Sequence, residues 1–133
     1  MTHSLFEADR VHIRDFRDLL AWQRAVELAV ESYRIARLLP REEGREIAWQ
    51  LRRSSLSVSS NIAEGNGRFS TPDYLRFLSM ANGSLNEAGS QIHVARDCGF
   101  VTMQQIGRAI RLSTDTGQLL VKLARSLRKT ERH

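Results

Sequence analysis

Residues 57–68, Ser-Val-Ser-Ser-Asn-Ile-Ala-Glu-Gly-Asn-Gly-Arg, place polar groups where a helix ordinarily keeps its core. Extended backwards, the register sets Gln50, Ser54, Ser57, Asn61 and Glu64 at alternating steps of four and three, on one helical stripe. An apolar stripe of Ile47, Leu51, Val58 and Ile62 runs beside it, and Ser84, Glu87 and Gln91 repeat the polar spacing further on. Such hydroxyls, amides and carboxylates can do one of two things. They can form a hydrogen-bonded network that fixes the register of two packed helices. Alternatively, they can hold a small molecule or a metal. Glu64 and Glu87 could bridge a metal, but bundle sites of that kind use Glu-x-x-His pairs, which this sequence lacks. The expected role is therefore a structural network of Gln50, Arg53, Ser57, Asn61, Glu64, Ser84 and Glu87, with Arg53 as counter-charge. No metal and no cofactor is expected.

A second set of residues is cationic. The net charge is +5, and it is not spread evenly. Residues 1–40 sum to zero, 41–68 to +1 and 69–100 to −1, so residues 101–133 hold +5. In that last quarter Arg108, Arg111, Lys122, Arg125, Lys129 and Arg132 share a helical stripe with Gln104, Asp115 and Gln118. Cations along one edge can contact successive phosphates and release counterions. Arg45 and Arg52, with Arg53 and Arg68, could extend the surface. The competing reading is a solvated face interrupted by Asp115.

Signals for catalysis are thin. His3, His12, His93 and His133 show no ligand spacing, and Gly65-Asn66-Gly67 lacks the lysine and strand-to-helix setting of a phosphate loop. Arg128 to His133 forms an Arg-x4-His string resembling the motif of helical HEPN ribonucleases, but its histidine is the last residue. No enzyme activity is expected.

The elements that position these groups read as helices. Few aromatics, two prolines and abundant Ala, Leu, Arg and Glu disfavour strands, and no alternating pattern appears. Residues 1–17 read as an irregular arm anchored by Phe6, Val11, Ile13 and Phe16. A first helix is expected over 18–39, ended by Pro40. A second is expected over 42–64, with Glu42, Glu43 and Glu46 at its start and Gly65 and Gly67 as its stop. A third runs over 71–98, with Thr71 as N-cap and Pro72 at the first helical position. The fourth covers 102–128, opened by a Thr102/Gln105 capping box and facing inward through Ile106, Ile110, Ser113, Gly117, Leu120, Ala124 and Leu127. Residues 129–133 form a tail. Short links make this an all-α, antiparallel up-down-up-down four-helix bundle. Trp49, Leu56 and Ala63 form a third apolar line on the second helix, more than one inward face needs, which points to self-assembly. One cysteine, no signal-peptide core and no apolar run of membrane length lead to the expectation of a cytoplasmic protein without a membrane partner.

Several motifs together carry a family resemblance. They are Phe16-Arg17-Asp18-Leu19, Trp22-Gln23, Ala25, Gln50-Leu51-Arg52-Arg53, Ser57-Val58, Asn61-Ile62-Ala63-Glu64-Gly65 and Gly67-Arg68. They continue as Tyr74-Leu75-Arg76-Phe77-Leu78, Gly83-Ser84 and Glu87. The chain resembles, over about residues 16–100, a bacterial family of small four-helix-bundle proteins. Its members include reading frames in intervening sequences of large-subunit ribosomal RNA genes and the accessory variability determinants of diversity-generating retroelements. Ser59 departs from the family, which commonly has proline there. The resemblance implies a ring-like homopentamer with a basic surface, and its retroelement members add RNA and a reverse transcriptase as candidate partners. Taken together, the expected function is non-enzymatic binding of structured RNA or DNA, RNA ahead of DNA, by an oligomeric bundle. A protein-interaction scaffold is the alternative, and a HEPN-like ribonuclease is the remote one.

Overall fold

The structure, a computed structural model, describes residues 15–131. The expected anchors Phe6, Val11 and Ile13, and Arg132 and His133 of the tail, lie outside the described residues. A short 3-10 turn, Phe16–Asp18, opens the described chain; Asp15 caps it by accepting from the Arg17 backbone N–H at 2.9 Å. Four helices follow: α1 Leu20–Leu38, α2 Arg45–Asn66, α3 Thr71–Asp97 and α4 Met103–Glu131. The chain leaves α1 where the sequence requires, because Leu39 is extended ahead of Pro40. Helix α2 begins three residues later than expected, since residues 41–44 form a turn in which Gly44 N–H donates to the Pro40 carbonyl at 2.9 Å.

The cap of α3 is Ser70 rather than Thr71: its hydroxyl accepts from the Asp73 N–H at 3.3 Å, and Thr71 and Pro72 sit inside the first turn. Gly99, at φ +82°, ends α3 in the left-handed conformation that a side chain would resist. The Thr102/Gln105 capping box forms in both directions, at 2.9 and 3.2 Å.

Packing runs α1 on α2, α2 on α3, α3 on α4, and α4 back on α1, with α2–α3 the most extensive interface and α3–α4 the least. The result is an antiparallel four-helix bundle in which α2 and α4 occupy opposite corners. Leu28, Ile35, Leu51, Val58, Ile62, Ile92 and Ile106 fill its centre. Helix α3 buries the expected line from Leu78 to Ala95, joined by Phe77 in place of Tyr74. Helix α4 is rotated from its expected register. Ala109, Leu112 and Thr116 take the centre, while Ile110, Ser113, Gly117 and Ala124 are only partly covered. Thr116 tolerates this place because its hydroxyl donates to the Leu112 carbonyl at 2.7 Å. At the opening of α1, Phe16 meets Trp22 edge-on at 5.1 Å. Among the described residues no helix is long and apolar enough to cross a membrane.

Polar seam and candidate nucleic-acid interface

Serines crowd one side of α2, and small side chains let α3 approach closely. The Ser57 and Ser84 hydroxyls share a hydrogen bond at 2.9 Å, and Ser54 Oγ donates to Gln91 Oε1 at 2.7 Å. Asn61 Nδ2 donates to the Ser57 carbonyl and hydroxyl at 2.9 and 3.0 Å. The buried Ser55 and Ser59 hydroxyls donate to carbonyls one turn back in α2. Ser59 donates to the Leu56 carbonyl at 3.1 Å, and α2 runs unbroken through this region.

This seam is neutral, which corrects the expected network. Gln50 donates to Glu46 at 3.0 Å on its own helix instead of joining α3. Glu64 is exposed and pairs with Arg68 at 2.7 Å, and Glu87 is exposed. Arg53 turns outward, its guanidinium 4.8 Å over the Trp49 ring. Long charged side chains at a seam's edge reach water, whereas burying a carboxylate there would cost several kcal/mol. Hydroxyls and amides, which bond one another at short reach, are what remains inside. Among the described residues no group of three or more His, Cys, Asp or Glu is gathered for a metal.

The rotation of α4 sets its cationic stripe opposite the core, and Arg108, Arg111, Lys122, Arg125 and Lys129 are all exposed. They are not equivalent. Arg108 leans toward α1, 3.5 Å from Glu27 and 4.0 Å from Glu31, so its charge is largely answered within the chain. Arg111, Lys122, Arg125 and Lys129 make no ion pair with another described residue. Arg128, which the stripe spacing omits, is also exposed and unpaired on the α3 side. Free positive charge is thus concentrated in the last turns of α4. Some of it answers the helix's own negative C-terminal end.

Arg45 and Arg52 lie on α2, at the opposite corner from α4, and Arg45 sits 3.6 Å from Glu42. The chain by itself does not bring them to the α4 face. Spacing along a sequence cannot reveal which helices end up diagonal.

The antiparallel arrangement brings the α2–α3 connection to the end of the bundle where α4 terminates. There Arg68 and Arg76 both stand over the Phe77 ring, at 4.4 and 4.6 Å, and both pair with Asp73. Phe69, between them in sequence, is fully exposed. Its Arg-Phe-Ser setting between two helices was the available signal that it stands on a loop tip. Tyr74 packs beneath this connection and donates to Asn66 Oδ1 at 3.1 Å. Burial pushes its hydroxyl up to about 12, so it remains a neutral donor well above its ordinary titration range.

Fold and seam define a class: an antiparallel four-helix bundle whose second and third helices are joined by a neutral, serine-rich interface. Residues 17–122 match the family model described as 23S rRNA-intervening sequence protein, and the chain belongs to that family. A solved structure with the same fold is a protein of unknown function from the S23 ribosomal protein family of Bacteroides thetaiotaomicron. It is 23% identical, with a TM-score of 0.73, and the match covers 79% of this chain and 98% of that one. No curated protein matches the sequence significantly.

Proposed function

We propose that the protein binds nucleic acid, RNA ahead of DNA, through phosphate contacts from the last turns of α4, and performs no chemistry on it. The observation that carries this reading is Lys122, Arg125, Arg128 and Lys129, exposed within two helical turns and without an acidic partner among the described residues. RNA precedes DNA because the family takes its name from a ribosomal RNA setting. Phe69 supplies an exposed aromatic at the same end of the bundle, on which an unpaired base could stack. Arg111 continues the surface along α4, whereas Arg108 leans toward Glu27 and Glu31 of α1.

The test is binding of a structured RNA and a DNA duplex across a salt series. Affinity should fall steeply as salt rises, with a log–log slope near −0.9 per phosphate contacted on duplex DNA. Absence of binding at low salt by the folded protein overturns the reading and leaves the protein-interaction scaffold.

A second observation supports self-assembly. On the α1–α2 side Val30, 63% exposed, and Leu56, 49% exposed, line an apolar groove of about 370 Å³ together with Val26, Ala29 and Tyr33, and Trp49, 47% exposed, lies two turns before Leu56 on α2. Contiguous apolar surface of this kind is what a subunit interface covers. The reading is a cytoplasmic homo-oligomer, a pentamer by family resemblance, that multiplies the α4 cations of each chain. Wild type should run in solution at a multiple of 15.2 kDa, and Leu56→Glu should fall toward a single chain. An unchanged mass for the variant would remove this face from the assembly.

A further inference from the structure

The least extensive interface of the bundle, α3–α4, leaves a groove of about 380 Å³ near the end of α4. That volume suits one small ligand. Leu78, Leu120 and Ala124 contribute apolar surface to it. Val121 lines it too and is 49% exposed, an apolar side chain among cations that the core does not account for. Ser79 and Asn82 face it from α3. Both are exposed, and neither side chain hydrogen-bonds another described residue. Arg125 and Arg128 stand along its α4 side, unpaired.

These features call for a particular kind of occupant. Two adjacent guanidiniums without a carboxylate select an anion, and their planar forks match the paired oxygens of a phosphate or a carboxylate. An apolar floor accepts a flat or sugar-like body. A hydroxyl and an amide on the facing wall can each donate and accept, as reading a base edge requires. The cations do not stop at the groove: Lys122 and Lys129 lie on the same helix one turn to either side. A single acidic side chain would leave those charges unanswered, whereas a strand carries a phosphate at every step.

We propose that the α3–α4 groove takes one unstacked nucleotide of an RNA strand, whose flanking phosphates run along α4. This rests on the nucleic-acid reading above and refines it: the preferred ligand has an unpaired nucleotide, a bulge or a loop, rather than an uninterrupted duplex. A nucleotide already out of the stack enters without the unstacking penalty that a paired one carries. Arg125 and Arg128 hold its phosphate, and Asn82 and Ser79 contact the base edge.

The experiment uses the full chain and two RNA hairpins with the same stem. One is fully paired, and the other carries a single bulged 2-aminopurine, whose fluorescence changes with stacking. The bulged hairpin should bind about tenfold more tightly, a ratio set by the saved unstacking, with a change in 2-aminopurine emission on binding. Ala124→Leu, which fills the groove, should bring the ratio close to one. Asn82→Ala, at an exposed position that folding does not depend on, should reduce it about threefold. Equal affinity of wild type for both hairpins overturns the groove while leaving phosphate binding in place. Failure to bind either hairpin overturns both readings. A ratio untouched by both variants, or a lower oligomeric mass for Ala124→Leu, also overturns the nucleotide assignment, and the latter gives the groove to a second copy of the chain.

Discussion

Reversal of Lys122, Arg125 and Lys129 to glutamate in one variant should cut affinity for RNA roughly 100- to 1000-fold at 0.1 M salt. The magnitude follows from counterion release. If each side chain neutralises one phosphate, three lost contacts remove about three from the log–log salt slope, and 0.1 M lies one decade below the concentration where that contribution vanishes. The fold should survive, because all three side chains are exposed and none holds an ion pair with a described residue. A small stability loss is expected even so. Lys129 lies in the last turn of α4, where a glutamate opposes the helix dipole at about 0.3–1 kcal/mol. Circular dichroism and the melting temperature separate that small effect from the loss of binding. Affinity and salt slope matching wild type would remove the α4 stripe from the interface. A triple glutamine variant with an intermediate loss would support charge, rather than side-chain shape, as the cause.

The largest stability effect is expected at a glycine. Replacing glycine by alanine inside a helix ordinarily stabilises by about 1 kcal/mol. At Gly65 the sign should invert. A Cβ there would lie 2.9 Å from Phe77 Cβ, 3.0 Å from a Tyr74 ring carbon and 3.2 Å from the Tyr74 carbonyl. Phe77 is buried, and two of these three atoms belong to its Cβ and to backbone, so the α2–α3 contact itself has to open. Overpacking of this kind costs about 1–3 kcal/mol, and Gly65→Val should cost more. Gly83 is the internal control: it sits inside α3, and a side-chain Cβ there would meet nothing within 4 Å. Gly83→Ala should therefore raise stability by up to about 1 kcal/mol. Denaturant unfolding of the two alanine variants should move the midpoint in opposite directions. Stabilisation by both would show that α2 and α3 do not approach this closely at Gly65.

That glycine also shows where sequence reading stops. Gly65 was expected as a stop signal, yet the helix runs through it to Asn66, with Gly67 as the C-cap. Composition cannot distinguish a glycine that frees the backbone from one that admits a neighbouring helix. The four helices themselves were legible because each carries a long apolar repeat and local end signals, Pro40, Gly99 and the Thr102/Gln105 box. The rotation of α4 was not, since Ile110 and Ser113 suit an inward line about as well as Ala109 and Leu112 do. Only packing against two neighbours at once decides between them. In the seam, the spacing pointed to Ser57 opposite Ser84, which the structure joins, but not to the Ser54–Gln91 pair, and Asn61 bonds back to Ser57 within α2 instead of crossing to α3. Glu64, Glu87 and Gln50 share the spacing, and Arg53 adjoins it, but all four have the length to leave it. For the cations, the stripe was legible along α4. Pairing of Arg108 with α1, the diagonal position of Arg45 and Arg52, and the place of Arg128 beside α3 depend on tertiary neighbours that spacing does not encode.

The close seam between α2 and α3 also bears on the order in which the protein assembles. These helices are joined by residues 67–70 alone, and their interface is the most extensive in the bundle. Contacts between neighbours in sequence close small loops, whose entropic penalty is low, so such a hairpin can form early and on its own. Helix α4 meets α1 only across long spans: Arg34 reaches the Gln105 carbonyl over 71 residues, and Arg108 reaches Glu27 over 81. By that argument the α1–α4 edge is expected to close last. A chain still being made is therefore expected to hold the uncharged α2–α3 hairpin before its basic helix docks, so substitutions in the seam should slow folding while substitutions on the α1–α4 edge should mainly speed unfolding.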